Sequence, residues 1–225
     1  LGDLAMHHRH VDALGLRNHL FQRLGRQRAR LGIQNHFLAK HHQRRDGADL
    51  KRRRQLGVVI SDPHCGYRYG LLRPGIMLPA MDADAAEDWS PQLTAIQRKK
   101  LWPWYEADKK AILDLADGDD LFLLMVGDAI QGTLLRDQLL VSHRLSDQYM
   151  IAEDILGEWG RMPNLKFMRL AKGTGVHVMN SGSAELTIAE HLKREYRKDV
   201  SAWYHFDLRA YGVRIDVAHH GPTTG

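Results

Sequence analysis

Four short apolar runs occur after residue 55, and each ends in a loop that carries an Asp or a His. The runs are Val58–Ile60, Leu121–Val126, Leu165–Leu170 and Val213–Ala218. Apolar runs of this length, bounded by Gly or Pro, are typical of strands. Longer segments with the composition and spacing of helices lie between them, at 93–115, 147–159 and 184–197. Strands that alternate with helices predict an α/β layered fold.

The first loop carries Asp62 and His64, separated by one proline. In an extended strand, side chains two residues apart point the same way, so both are expected to leave the strand on one face. An oxygen ligand beside a nitrogen ligand makes half of a site for a first-row transition metal. An Asp-x-His tripeptide on its own is more often a polar loop at the end of a strand that binds no metal.

The other three loops add ligands of the same two types. Asp128 follows Gly127 after the second run, His177 ends the loop after the third, and His219 and His220 follow the fourth. Sites in open α/β sheets form outside the carboxyl ends of the strands, so these side chains are expected to converge. Each loop taken separately also fits a turn or a helix cap. Their succession favours a metal site.

Four segments together resemble the calcineurin-like metallophosphoesterase superfamily, and more narrowly its branch common in phage and prophage genomes. They are SDPHCGYRYGLL, GDAIQG, KGTGVHV and AHHG, and the resemblance covers residues 56–225. It implies a two-sheet β-sandwich flanked by helices, in four layers, with a two-metal site that hydrolyses phosphate esters. The family's closing Gly-His-x-His motif does not occur before Gly225, so we expect a domain that is incomplete at its C-terminus.

The resemblance also implies roles for individual residues. Asp62 and His64 would hold the first ion, and Asp128 would bridge the two ions. One of His219 and His220 would hold the second ion. Ligation by His and carboxylate favours Mn, Fe, Zn, Ni or Co over Ca or Mg.

The third segment departs from the family's usual Gly-Asn-His motif. Thr174 stands where the Asn ligand would, and a hydroxyl is a poorer metal ligand than a carboxamide. Two further residues precede His177. We take His177 as the candidate catalytic proton donor, with a ligand role as the alternative.

The expected function is therefore metal-dependent hydrolysis of a phosphodiester, in a nucleic acid or a nucleotide. A phosphomonoesterase that acts on proteins or small molecules is the alternative enzyme. A protein that binds nucleic acid and whose incomplete site is inactive is the alternative from a different class. The presence of the missing motif further along the gene would separate the enzymes from the binding protein.

The net positive charge of the chain comes from its first 54 residues. They hold 13 Lys and Arg against 4 Asp and Glu, and the remainder has a net charge of −4. Three interpretations of this His-rich arm stay open: a basic segment that tracks a phosphate backbone, His clusters that bind metal adventitiously, or an extension that is not a natural domain. We separate the arm at 1–54 from a partial catalytic domain at 55–225.

The composition is that expected of a cytoplasmic protein without a membrane span. Cys65 is the one cysteine, so an internal disulfide is excluded, and a reducing compartment fits. We expect the Cys65 side chain to fill a small buried space. No apolar run approaches the ~20 residues that cross a bilayer. We assign no role to His143, His191 or His205, which lack a partner motif, and the sequence predicts no oligomeric state.

Overall fold

The structure, a computed structural model, describes residues 35–37, 54–80, 87–133, 139–177, 184–210 and 212–219. From His36 onward these residues belong to one unit, His36–Gly225. The arm predicted at 1–54 lies almost entirely outside the described residues, and so does His220.

Seven strands and three α-helices make up the described part of the chain. The strands are β1 (Asn35–Phe37), β2 (Gln55–Ser61), β3 (Asp120–Val126), β4 (Leu165–Ala171), β5 (Asp199–Trp203), β6 (His205–Ala210) and β7 (Val213–Ala218). The helices are α1 (Trp102–Ala116), preceded by a π-helical turn at Gln97–Leu101, α2 (Leu145–Gly160) and α3 (Ala184–Tyr196). Within these described residues, no helix has the length and apolarity to traverse a bilayer.

One sheet has the strand order β1-β2-β3-β4-β5, and β2 to β5 run parallel in it. Among the described residues, one α-helix lies between the two strands of each parallel pair: α1 between β2 and β3, α2 between β3 and β4, and α3 between β4 and β5. Crossovers between parallel strands are right-handed, and here the strand order never reverses. The three helices therefore lie on the same face of the sheet.

The opposite face of the sheet is covered by β6 and β7, which form an antiparallel pair. Phe122, Leu124 and Ala171 of the parallel sheet share a buried cluster with Val217 of β7. The rings of Phe122 and Phe167 stack in it, with centroids 5.1 Å apart. The two sheets thus pack face to face, as expected. The described residues contain no helix on the outer face of β6 and β7, so the predicted fourth layer is not seen among them.

Strand β3 has the longest apolar run because both of its faces are covered. Leu121, Leu123 and Met125 are fully buried on the helix side, whereas Phe122 and Leu124 face β6 and β7. A strand in this position needs apolar side chains throughout rather than in alternation. That requirement made β3 the easiest strand to predict.

The four predicted strands are divided between the two sheets. The fourth predicted strand is β7, which belongs to the antiparallel pair and not to the parallel sheet. The remaining parallel strand is β5, which the sequence analysis did not predict, and β6 was also missed. Asp199–Trp203 is short and carries polar residues, so it lacks the apolar run used to find the others.

Replacement of Phe122 tests the packing between the sheets. We expect Phe122→Ala to lower the free energy of unfolding by about 3–5 kcal/mol, because the cavity would lie in the cluster that joins the two sheets. Leu186→Ala is the control, since Leu186 is 43% exposed and its loss should change stability by no more than ~0.5 kcal/mol. Urea denaturation measures both, and similar values for the two variants would contradict this packing.

Candidate metal centre

The loops that follow β2 and β3 run side by side beyond the ends of their strands. The Asp62 N–H donates to Gly127 O at 3.3 Å, and the His64 N–H donates to Asp128 O at 3.0 Å. The Cys65 N–H donates to Ala129 O at 3.0 Å. These bonds continue the pairing of the two strands, so the first two sequence motifs are held against each other by their backbones.

Left-handed backbone conformations direct the side chains of these loops. Asp62, His64 and Asp128 have φ values of 53°, 43° and 49°. Such conformations cost on the order of 1–3 kcal/mol each and cluster at functional sites. The prediction that extended geometry places Asp62 and His64 on one face is therefore wrong. The loop turns at both residues, and each side chain approaches Asp128 with a different partner.

The Asp128 carboxylate is the centre of the cluster, and its two oxygens have different surroundings. Oδ1 accepts hydrogen bonds from the backbone N–H of Thr174 at 2.7 Å and from its hydroxyl at 3.0 Å. Oδ2 faces three imidazoles: His64 Nε2 at 3.9 Å, His177 Nε2 at 3.9 Å and His219 Nε2 at 3.2 Å. One oxygen is thus fixed by the protein, and the other points into a group of nitrogen ligands.

Two of the imidazoles are oriented as metal ligands usually are. His177 Nδ1 lies 2.6 Å from Gln131 O, and His219 Nδ1 lies 3.1 Å from Val126 O. A carbonyl oxygen can only accept, so each Nδ1 carries the proton that forms this bond. The Nε2 atom is then the one available to a cation, and it faces Asp128. Bound histidines typically donate their other N–H to a carbonyl or carboxylate in this way.

The ligand atoms fall into two overlapping groups. His64, Asp128 and His177 form one, and Asp62, Asp128 and His219 form the other, with the ligand atoms of each group within 4.8 Å of one another. Asp128 belongs to both. This donor set of nitrogen and carboxylate oxygen fits a first-row transition metal. The residues present are therefore compatible with a metal site, and they allow one carboxylate to be shared between two positions.

The charges of these groups are strongly coupled. Burial opposes ionisation of Asp128, but hydrogen bonds from His219 and Thr174 hold the pKa of its carboxyl well below its usual range. The hydrogen bond to Asp128 raises the pKa of His219. Burial, reinforced by His177, lowers the pKa of His64. His64 is therefore neutral at pH 7, as a ligand must be.

A buried Asp–His ion pair is the simplest alternative interpretation of these contacts. It accounts for His219, whose Nε2 lies within hydrogen-bond distance of Asp128. It does not account for His64 and His177, whose Nε2 atoms lie too far from Asp128 Oδ2 for a hydrogen bond. His64 Nδ1 is also buried and has no hydrogen-bond partner among the described residues. Two imidazoles directed at a carboxylate without bonding to it leave room for a cation.

Two glycines keep the space around Asp128 open. A Cβ at Gly173 would lie 2.2 Å from Asp128 Oδ1, and a Cβ at Gly127 would lie 2.0 Å from His219 Nδ1. Gly127 also has a φ of 77°, which other residues rarely adopt. The glycines beside the predicted ligands are therefore required by the close approach of the loops, not only by their turns.

The structure brings together five of the residues predicted for the site. Asp62, His64, Asp128, His177 and His219 converge as two groups of ligands. Thr174 lies beside them as a hydrogen-bond donor to Asp128, and its role as a ligand stays a prediction. His220 lies outside the described residues. Cys65 is fully buried, as expected, and burial raises the pKa of its thiol.

Comparisons of the chain with protein-family models, curated proteins and solved structures give no match. The geometry therefore carries the functional argument.

The sequence analysis missed two residues near the cluster, one that acts through its backbone and one through its side chain. Gln131 supplies the carbonyl that orients His177. Glu185 is completely buried, and its Oε1 accepts the N–H of Ala129 at 3.2 Å. Gln131 lies in the quoted motif GDAIQG and could have been found there, whereas Glu185 resembles any other acid in the first turn of a helix.

A third group of potential ligands lies on the hairpin, well exposed. It contains His205, Asp207 and Asp216. His205, to which the sequence analysis assigned no role, contacts Asp216. Asp207 is paired with Arg214 at 2.7 Å. Because these groups are exposed and partly neutralised by each other, we treat them as surface ion pairs.

Two glycines with nearly the same backbone conformation allow a test of the steric requirement. Gly127 and Gly75 have φ values of 77° and 74°, so alanine costs about 1–2 kcal/mol at either one. Only at Gly127 does the Cβ meet another group, since nothing lies within 4 Å at Gly75. We expect Gly127→Ala to be less stable than Gly75→Ala by a further ~1–3 kcal/mol. Equal losses in urea denaturation would show that His219 does not pack against Gly127.

Proposed function

We propose that this protein hydrolyses phosphate esters at a centre that holds two divalent cations. The observation that carries the proposal is the position of Asp128, whose carboxylate is shared by two groups of ligands. A single carboxylate oxygen can contact two ions, and Oδ2 is the oxygen that faces all three imidazoles. Sites with two ions roughly 3.5–4 Å apart are typical of phosphatases and nucleases.

Each group of ligands would hold one ion. His64, Asp128 and His177 would hold the first, and Asp62, Asp128 and His219 would hold the second. We expect Mn, Fe, Zn, Ni or Co, because the ligands mix nitrogen and oxygen. Two such cations would polarise the phosphoryl group and make a nearby water more acidic. The carbonyls of Gln131 and Val126 orient the imidazoles of His177 and His219, and burial favours the neutral form of His64.

The geometry favours a ligand role for His177 over its predicted role as proton donor. Its Nδ1–H is occupied by Gln131 O, and its Nε2 faces Asp128. A proton donor would need Nε2 directed at the leaving group instead. Thr174 is better suited to orient Asp128 than to bind an ion, because both of its donors are directed at Oδ1.

The rim of the centre supports a nucleotide or nucleic-acid phosphodiester as the substrate. Lys172 precedes Gly173, and its N–H donates to Trp203 O at 2.9 Å. Its ammonium lies 4.2 Å from the centre of the Tyr204 ring. Trp203 and Tyr204 are 56% and 66% exposed. Exposed aromatic rings beside a cation are the usual means of binding single-stranded nucleic acid, by base stacking and phosphate contact.

Two alternatives remain as outcomes of the test. A phosphomonoesterase would use the same ions and would not need the aromatic rim. A protein that binds nucleic acid without hydrolysing it would need the rim and not the ions. Substrate preference separates the two enzymes, and the effect of a ligand substitution separates enzyme from binding protein.

Hydrolysis of bis(p-nitrophenyl) phosphate and of p-nitrophenyl phosphate, with and without Mn²⁺, tests the proposal. We expect turnover that requires Mn²⁺, favours the diester and falls to background in Asp128→Asn, which lacks the shared negative charge. Asp114→Asn is the matched control, because Asp114 is an exposed helix residue paired with Lys110 and its loss should have little effect. No metal-dependent turnover with either substrate would overturn the enzyme.

The aromatic rim makes a separate prediction. We expect Tyr204→Ala to raise KM for a single-stranded oligonucleotide roughly fivefold or more, since stacking contributes ~1–3 kcal/mol per base. Tyr204→Phe keeps the ring and should behave like the wild type. Neither variant should change the affinity for Mn²⁺, because Tyr204 belongs to neither group of ligands. An unchanged KM in Tyr204→Ala would remove the support for a nucleic-acid substrate.

A further inference from the structure

Glu185 is a carboxylate that the proposed chemistry does not use. It lies in the first turn of α3 and is completely buried. Burial raises the pKa of its carboxyl, and the nearby negative charge of Asp128 adds to this effect. Oε2 is buried and has no hydrogen-bond partner among the described residues. A buried acid in such surroundings lowers the stability of the fold unless its hydrogen bonds offset the cost of burial.

Its contact reaches the residue next to Asp128. Oε1 accepts the N–H of Ala129, the residue after Asp128, at 3.2 Å. Asp128 Oδ1 is held separately by two hydrogen bonds from Thr174. Glu185 therefore fixes the loop that carries the shared carboxylate to the first turn of α3.

We propose that Glu185 is a positioning residue of the metal centre, which ties the loop after β3 to α3 so that Asp128 Oδ2 faces the three imidazoles. This inference rests on the proposed function, because it concerns the same cations. Glu185 binds no ion itself. It belongs to neither group of ligands, and its Oε1 is directed at the Ala129 N–H.

Removal of the side chain should weaken metal binding more than it weakens the fold. Loss of such an outer contact typically lowers metal affinity 10- to 100-fold, and we expect a loss in this range for Glu185→Ala. Glu185→Gln keeps an oxygen that can accept the Ala129 N–H, so its affinity should stay within about threefold of the wild type. Glutamine keeps the acceptor oxygen but removes the negative charge. Rescue by glutamine would therefore show that Mn²⁺ affinity depends on the hydrogen bond to Ala129 and not on the charge of Glu185.

The measurement is a titration of the full chain with Mn²⁺, followed by the electron paramagnetic resonance signal of the free ion. Asp128→Asn gives the binding that does not depend on the centre, which includes any Mn²⁺ on the exposed group at His205 or on the His-rich arm. Glu190→Ala is the matched control, because Glu190 is an exposed acid on the same helix. Circular dichroism at the titration temperature establishes that each variant is folded. If Glu185→Ala does not fold, Glu185→Asp replaces it, since the shorter carboxylate cannot reach the Ala129 N–H.

The outcomes separate this inference from the proposed function. Wild-type affinity in Glu185→Ala, or an equal loss in Glu190→Ala, would overturn the positioning role and leave the centre intact. Wild-type binding no tighter than that of Asp128→Asn would overturn the centre and the positioning role together. Tight binding that Glu185→Ala weakens and glutamine restores, in a protein that hydrolyses neither nitrophenyl ester, would support the positioning role while the hydrolytic function failed.

Discussion

The rest of the site depends on keeping the Asp128 carboxylate charged although it is almost completely withdrawn from water. A carboxylate is costly to bury unless donors or cations surround it. Thr174 satisfies one oxygen, and the other is left to imidazoles. The left-handed turns and the glycines beside them follow from this constraint, because they allow three loops to approach one small group closely.

The order of the strands explains why both sheets are needed to meet that constraint. Sequential parallel pairing sends every connecting helix to one face, so the other face must be covered by something else. The hairpin of β6 and β7 covers it and delivers His219 at its end. The same apolar contacts that join the sheets thus determine where the last imidazole lies. The packing between the sheets and the position of His219 therefore depend on each other.

The sequence predicted the parts of the molecule whose physical cause is local. The run Leu121–Val126 must be apolar because β3 is covered on both faces, and Gly-Asp after such a run indicates a strand end with a ligand. β5 and β6 were missed because neither Asp199–Trp203 nor His205–Ala210 has an apolar run, although the alternation of apolar and polar residues in β6 is itself typical of a half-buried strand. Glu185 could not be identified, since its hydrogen bond with the Ala129 N–H spans 56 residues of the chain.

Because the predicted ligands come from both sheets, a bound ion would link the two sheets to each other. Asp62 and Asp128 follow strands of the parallel sheet, and His219 follows a strand of the hairpin. A cation held by all three would be a reversible cross-link between the halves of the sandwich, closing a long stretch of chain without a disulfide. By linkage, whatever loosens the apolar interface would also release the ion, and the ion would strengthen the interface in return. Metal supply would then regulate how firmly the two sheets hold together.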